Sequence, residues 1–117
     1  MSAPLVVEAK IRMNSGRRFA FGPGKADLLA RIEATGSISE AAKTMEMSYM
    51  RAWQIVKSLD GAFAEPLVLK SRGGKTKGGA TLSDTGREVL RLYREMETAA
   101  QSVCEKSGVR IAALLKS

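Results

Sequence analysis

The segment 49–62 holds the side chains of this chain that are best suited to recognising a polar surface. Its apolar residues recur at helical spacing and predict a buried face formed by Ala52, Ile55, Val56 and Leu59. Since a helix advances about 100° per residue, the remaining face points outward. It presents Met50, Gln54 and Lys57, with Arg51 and Trp53 beside it. The Gln54 amide can pair bidentately with adenine and the Arg51 guanidinium with guanine, whereas Lys57 suits a phosphate.

A basic, glycine-rich segment follows at residues 70–79, with the sequence KSRGGKTKGG. It holds four positive charges, four glycines and no negative charge. Such a segment cannot form a core, but its cations can lie along phosphates or enter a minor groove. The alternative is a solvated loop. Its position directly after two closely spaced helices, described below, favours phosphate contact.

The residue types that the chain lacks exclude several common active sites. The sequence has no histidine and a single cysteine, Cys104. Catalysis by Ser-His-Asp or Cys-His groups is therefore excluded, and a zinc site nearly so. Thioethers of Met45, Met47 and Met50 could bind copper, but packing is the favoured role. We predict no catalytic residue, no metal site, no cofactor and no enzymatic activity.

The overall charge favours a polyanionic partner. The 117 residues include 19 Lys and Arg against 12 Asp and Glu, which gives a net charge of +7. Nucleic acid is the first candidate, because lysine and arginine displace counterions from phosphates. The single cysteine suits a reducing cytoplasm, and no signal peptide or membrane span is apparent. We expect a cytoplasmic, nucleoid-associated protein that is a single domain over residues 1–117 and has no membrane partner.

Serines at the starts of two helices indicate that the segment 49–62 is the second helix of a helix-turn-helix at residues 37–62. A first helix begins near Pro23 and ends at Gly36. The run Ser37 to Glu40 matches a capping box, in which the serine caps the helix and the glutamate reaches back. Ser48 is expected to cap the next helix, from about Tyr49 to Ala62. The alternative is an ordinary two-helix corner. Trp53 is expected to pack rather than contact a base.

Flanking segments complete a mainly α fold with a small β content. Period-two alternation from Val7 to Met13 predicts a strand and a hairpin over residues 5–21. Residues 67–82 predict a wing of two strands around the basic segment. A long helix over residues 84–106 carries an apolar stripe that suits dimerisation, helped by the apolar tail at 109–115. We therefore predict a winged helix-turn-helix with an N-terminal β-hairpin and a long C-terminal dimerisation helix.

Two stretches resemble a known family. SISEAAKTMEMSYMRAWQIVKSLD, followed by PLVLKSRGGKTKGGATLSDTGREVL, is similar to the N-terminal DNA-binding domain of the molybdate-responsive regulators, ModE, over roughly residues 20–100. A looser likeness to LysR-type winged helices runs through Ala41-Ala42, Pro66-Leu67, Leu82 and Gly86. The resemblance implies a homodimer that represses or activates at near-palindromic operators. Full-length members also carry C-terminal domains that bind molybdate or tungstate. Since the sequence stops at Ser117, those domains are not expected, and molybdate is a doubtful partner.

These observations lead to one predicted function and two alternatives. We predict a bacterial, sequence-specific regulator that binds double-stranded DNA as a homodimer. The alternatives are an architectural, nucleoid-type DNA binder and an interaction module that pairs with a full-length relative. The varied polar face of the second helix favours base readout, whereas an architectural protein would favour a uniformly basic face. The residues predicted to contact DNA are Ser48, Tyr49, Met50, Arg51, Gln54, Lys57, Ser71, Arg72, Lys75 and Lys77.

Overall fold

The computed structural model describes residues 4–71 and 79–116. Two short strands, β1 (Met13–Ser15) and β2 (Phe19–Phe21), precede three helices, α1 (Pro23–Thr35), α2 (Ile38–Thr44) and α3 (Tyr49–Ala62). Strands β3 (Val68–Lys70) and β4 (Ala80–Leu82) follow, and the helix α4 (Asp84–Ala112) is the last element. Each strand pair is antiparallel. This order confirms the predicted winged helix with an N-terminal hairpin and a long C-terminal helix.

One aliphatic core joins the three short helices to the wing strands and to α4. The largest fully buried side chains are Tyr93, Leu28, Leu29, Ile32, Leu59, Leu67, Leu82 and Val56. Small residues allow close approach where α2 packs, since Ala41 and Ala42 are both buried. Aromatic rings close the hairpin side: Phe19 packs edge-on against Phe63, and Phe21 against Tyr93. The core therefore lies beneath α2 and α3 and leaves one face of α3 exposed.

The helix caps follow the prediction with one exception. Ser37 Oγ accepts a hydrogen bond from the Glu40 N–H at 3.1 Å, as expected for a cap. The reciprocal half of the predicted capping box is wrong, because Glu40 pairs with Lys43 and the Ser37 N–H donates to Thr35 Oγ1 instead. Gly36 takes a left-handed conformation, with φ at 74°, and its N–H donates to the Ile32 carbonyl. This conformation ends α1 as predicted.

The predicted strand over residues 7–13 is wrong, because only Met13–Ser15 pairs with β2. The preceding residues lie along α4. Gln101 donates to the Val7 carbonyl at 2.6 Å and accepts from the Ala9 N–H at 2.8 Å. The alternation of apolar and polar residues therefore arises because one face of this segment is half-buried. Its backbone is bound by the Gln101 side chain rather than by a second strand.

Helix α4 is longer than predicted, since it continues to Ala112 rather than ending near residue 106. Gly108 is buried, and a Cβ there would lie 2.4 Å from Val7 Cγ2, so this glycine permits the N-terminal segment to cross the helix. Part of the predicted apolar stripe is exposed, including Leu92, Met96 and Val103. Among the described residues, no helix is long and apolar enough to cross a membrane.

Candidate nucleic-acid interface

Helix α3 presents an exposed polar face at its N-terminal end. Ser48 Oγ accepts a hydrogen bond from the Arg51 N–H at 3.1 Å, which fixes the first turn. Ala52, Val56 and Leu59 are buried, and Ile55 packs against them half-buried, so the predicted inner face is confirmed. On the face predicted to point outward, Met50, Gln54 and Lys57 are exposed. Arg51 beside this face is exposed too, as is Tyr49 at the start of the helix.

The side chains of Arg51 and Gln54 are available for recognition. Within residues 4–71 and 79–116, neither side chain makes a hydrogen bond or an ion pair. A guanidinium carries five N–H donors and an amide carries two donors and one acceptor. Both groups stand on a helix whose opposite face is fixed in the core, so they are held by a rigid element while their polar ends remain free.

Trp53 neither packs fully into the core nor stands free in solvent. The indole is half-buried, with the Lys57 ammonium 4.9 Å from its ring centroid and the Lys70 ammonium 5.8 Å away. Lys57 lies one turn along α3, and Lys70 ends β3. The cationic side chains of the helix and of the wing strand therefore meet at this ring.

The predicted wing is partly described. Strands β3 and β4 pair in register, with Val68 opposite Leu82 and Lys70 opposite Ala80. Ser71 is exposed, and its N–H donates to the Gly79 carbonyl at 2.8 Å, which extends the pairing by one residue. The predicted contacts Arg72, Lys75 and Lys77 lie outside the described residues. The two strands therefore fix the positions of Ser71 and Gly79, the described residues on either side of residues 72–78.

One carboxylate on α1 holds the base of the wing. Glu33 accepts hydrogen bonds from the Leu82 N–H and the Thr81 hydroxyl at 2.9 Å each, and from Arg87 Nε at 2.6 Å. The Leu82 N–H and the Arg87 guanidinium lower the pKa of Glu33 from its ordinary value. The ionised carboxylate thus joins α1, β4 and α4, so the wing has a defined direction relative to the helices.

A serine and a glycine at the start of α4 hold the other strand of the wing. Ser83 caps α4 by accepting from the Gly86 N–H at 2.9 Å, and its own N–H donates to the Leu67 carbonyl at 2.8 Å. A Cβ on Gly86 would lie 2.2 Å from that same carbonyl oxygen. The glycine in the sequence LSDTG therefore lets the helix approach the strand.

Two parts of this surface are not predicted by the sequence. Asp60 Oδ1 accepts from the Leu67 N–H at 2.8 Å, and so links the last turns of α3 to the residue before β3. Lys70 belongs to the basic segment but is not among the predicted contacts. Trp53 and Lys57 are four residues apart, which predicts that they meet on one helix face. Lys70 reaches them only because β3 packs beside α3, and no local sequence pattern predicts that contact.

Comparison with known proteins places these features in a family. No protein-family model matches the chain. The chain is 33% identical over 103 residues to the molybdenum transport protein ModE of Azotobacter vinelandii, which covers 88% of this chain and 38% of the relative. It is 40% identical over 76 residues to the molybdenum-pterin-binding protein MopB of Rhodobacter capsulatus. This match covers 65% of this chain and 28% of the relative.

A third relative carries a more specific description. The chain is 33% identical over 93 residues to the DNA-binding transcriptional dual regulator ModE of Escherichia coli K12, which covers 80% of this chain and 34% of the relative. The chain thus spans roughly a third of the length of these curated relatives. These matches confirm the resemblance predicted from the sequence: the chain is a relative of the ModE family and corresponds to the N-terminal region of its members.

Proposed function

We propose that this chain is a transcription regulator that binds double-stranded DNA sequence-specifically, with α3 in the major groove. The observation that carries the proposal is the exposed N-terminal half of α3, where Arg51 and Gln54 project from a helix whose other face is buried. In a helix-turn-helix, the N-terminal residues of the second helix contact base edges. The name of the Escherichia coli relative, a DNA-binding regulator, supports the same function.

The chemistry of each side chain suggests a division of roles. Gln54 suits an adenine and Arg51 a guanine, because each can form two parallel hydrogen bonds with that base. Tyr49 and Met50 are about half exposed beside them and offer apolar contact to base edges or sugars. Ser48, Ser71 and the basic side chains Lys57, Arg72, Lys75 and Lys77 suit phosphates, which position the protein without reading sequence.

We further propose that the protein acts as a homodimer joined along α4. Large apolar side chains are exposed over much of its length: Leu92, Met96, Val103, Val109 and Ile111. Leu5 and Val6 of the N-terminal segment, and Leu114 and Leu115 after the helix, extend this apolar surface. A symmetric pair would cover it and would present two copies of α3 to the two halves of a near-palindromic operator.

Light scattering tests the assembly. At micromolar concentration we expect a mass of twice 12.6 kDa. Val103→Glu should reduce it to the monomer without loss of fold, because this side chain is 64% exposed in the single chain and contributes little to its core. A wild-type mass of 12.6 kDa would contradict the homodimer.

Paired measurements of melting and operator affinity test the base contacts. Arg51→Ala and Gln54→Ala should leave the melting temperature unchanged, because both side chains are exposed. Each should weaken binding to the operator by about 1–3 kcal/mol, because each removes one bidentate pair of hydrogen bonds to a base. Binding to random duplex should hardly change for Gln54→Ala and fall modestly for Arg51→Ala, which removes a charge. If both variants bind the operator like the wild type, these residues do not read the sequence.

The names of the relatives connect them with molybdenum. A response of this chain to molybdate is tested by comparing its operator affinity with and without molybdate. Among the described residues, no buried polar side-chain atom lacks a hydrogen-bond partner, so the interior offers no unsatisfied group to an oxyanion. We therefore expect equal operator affinity with and without molybdate for this 117-residue chain. A tenfold change, equivalent to about 1.4 kcal/mol of coupling, would show an oxyanion site within it.

A further inference from the structure

The Trp53 cluster, formed by Trp53, Lys57 and Lys70, joins the outward face of α3 to the wing. The ring centroid lies 4.9 Å from the Lys57 ammonium and 5.8 Å from the Lys70 ammonium. Both lysines are exposed, and the indole is half-buried. Lys57 lies two turns after Arg51 on the same helix, and Lys70 is the first residue of the basic segment. The cluster therefore lies where the two proposed DNA-contacting elements meet.

The charges of the cluster are not balanced within the described part of the chain. No carboxylate of residues 4–71 or 79–116 forms a salt bridge with Lys57 or Lys70. Two ammonium groups near one ring repel each other, and the negative face of an indole offsets that repulsion only in part. An anion that contacts both groups would remove it. Within the described residues, the two lysines are therefore a pair of cations that remain open to an external anion.

The protein holds this pair in place from both sides. Trp53 lies on α3 next to the buried Ala52, and its half-buried indole is carried by a helix whose inner face is fixed in the core. Asp60, further along α3, accepts hydrogen bonds from the N–H groups of Leu67 and Val68 at the start of β3. The angle between α3 and the wing strand is thus fixed, and with it the relative position of the backbone segments that carry the two lysines.

We propose that Lys57 and Lys70 form one phosphate-binding site for the DNA backbone, and that Trp53 is the positioning residue that holds both lysines. This inference rests on the proposed DNA binding and deepens it. The site would bind a backbone phosphate whatever the base sequence of the DNA. It would also align the wing with α3, so that both engage the same duplex together.

The salt dependence of DNA binding tests the two lysines. Each neutralised phosphate contributes about 0.9 to the slope of log K against log salt concentration. Because the two lysines share one phosphate, the double variant Lys57→Ala, Lys70→Ala should reduce that slope by about 0.9, and each single variant by part of that amount, on random and cognate duplex alike. Both side chains are exposed, so both variants should fold. Lys116→Ala is the matched control, because Lys116 lies beyond the far end of α4, about 43 Å along the helix from the wing, and should leave the slope unchanged.

Two further measurements separate positioning by Trp53 from a merely structural role. Trp53→Leu keeps both lysines but removes the ring, and should weaken binding to both duplexes about three- to tenfold, while Trp53→Phe recovers part of this affinity. Since Trp53 is the one tryptophan of the chain, its fluorescence reports the site directly. Random duplex should protect the wild-type indole from acrylamide quenching, and the double variant Lys57→Ala, Lys70→Ala should lose this protection when fully bound.

The possible failures are distinguishable. If the wild type binds DNA but the slopes of Lys57→Ala and Lys70→Ala equal that of the Lys116→Ala control, the phosphate site is refuted and the proposed function stands. The phosphate site is also refuted if DNA binding does not protect the wild-type indole from acrylamide quenching. If the wild type binds no duplex, the proposed function is refuted and this inference with it.

Discussion

Gly86, in the first turn of α4, offers a sharp test of how the wing is held against the helix. An alanine Cβ at this position would lie 2.2 Å from the Leu67 carbonyl oxygen and 3.1 Å from its carbonyl carbon. Both atoms belong to the backbone, so α4 and β3 must move apart. That movement also stretches the hydrogen bond from the Ser83 N–H to the same oxygen, now 2.8 Å.

The magnitude follows from three contributions. Overpacking costs about 1–3 kcal/mol, and weakening one hydrogen bond costs about 1 kcal/mol. Replacing glycine by alanine in a helix returns about 0.5–1 kcal/mol. Gly86→Ala should therefore lower the free energy of unfolding by about 1–3.5 kcal/mol, which corresponds to a melting temperature roughly 4–18 °C lower for a domain of this size.

Gly61→Ala is the matched control for the assay by calorimetry or denaturant unfolding. It makes the same substitution within α3, but the new Cβ would meet nothing within 4 Å. We expect a gain of about 0.5 kcal/mol from helix propensity. If Gly86→Ala is as stable as Gly61→Ala, the close contact between α4 and the wing strand is not a constraint, and the reasoning fails.

Two further predictions concern stability. Leu59→Ala removes a side chain that is 2% exposed and should cost about 2–5 kcal/mol in denaturant unfolding; a cost under about 1 kcal/mol would mean that the inner face of α3 is misassigned. Glu33→Gln should cost about 1 kcal/mol near neutral pH, since its carboxylate is partly exposed and screened. Because the folded pKa of Glu33 is lowered, this stabilisation is present above the ordinary value of 4.5 and is lost as the pH falls through the folded pKa. The difference in melting temperature between wild type and Glu33→Gln should narrow on acidification, and a difference that does not vary with pH would contradict the role of Glu33.

Local signals were sufficient for much of the fold. Ser37, Ser48 and Ser83 cap helices, and Gly36 ends one, through hydrogen bonds between residues close in sequence. The N-terminal segment shows the limit of such signals. Alternating burial at Val7 is common to a strand and to an extended segment lying on a helix, and the partner that decides between them, Gln101, is 94 residues away.

The candidate site also has a part that local sequence signals predict and a part that depends on the tertiary structure. The outward face of α3 was predictable because helical geometry alone sets which residues oppose Val56 and Leu59. The framework around it was not, because Glu33 contacts Leu82 and Arg87 across 49 and 54 residues. Lys70 likewise reaches Trp53 only once β3 is packed beside α3. Interactions of this kind depend on the tertiary structure and have no periodicity in the sequence.

The most direct test of sequence-specific binding is selection of duplexes from a random pool by the wild-type chain, followed by affinity measurements at fixed salt. We predict enrichment of a near-palindromic sequence whose half-sites lie about one helical turn apart, bound at least roughly a thousandfold more tightly than random duplex. Binding without enrichment, with equal affinity for selected and random duplexes, would contradict the account and indicate an architectural DNA-binding protein instead.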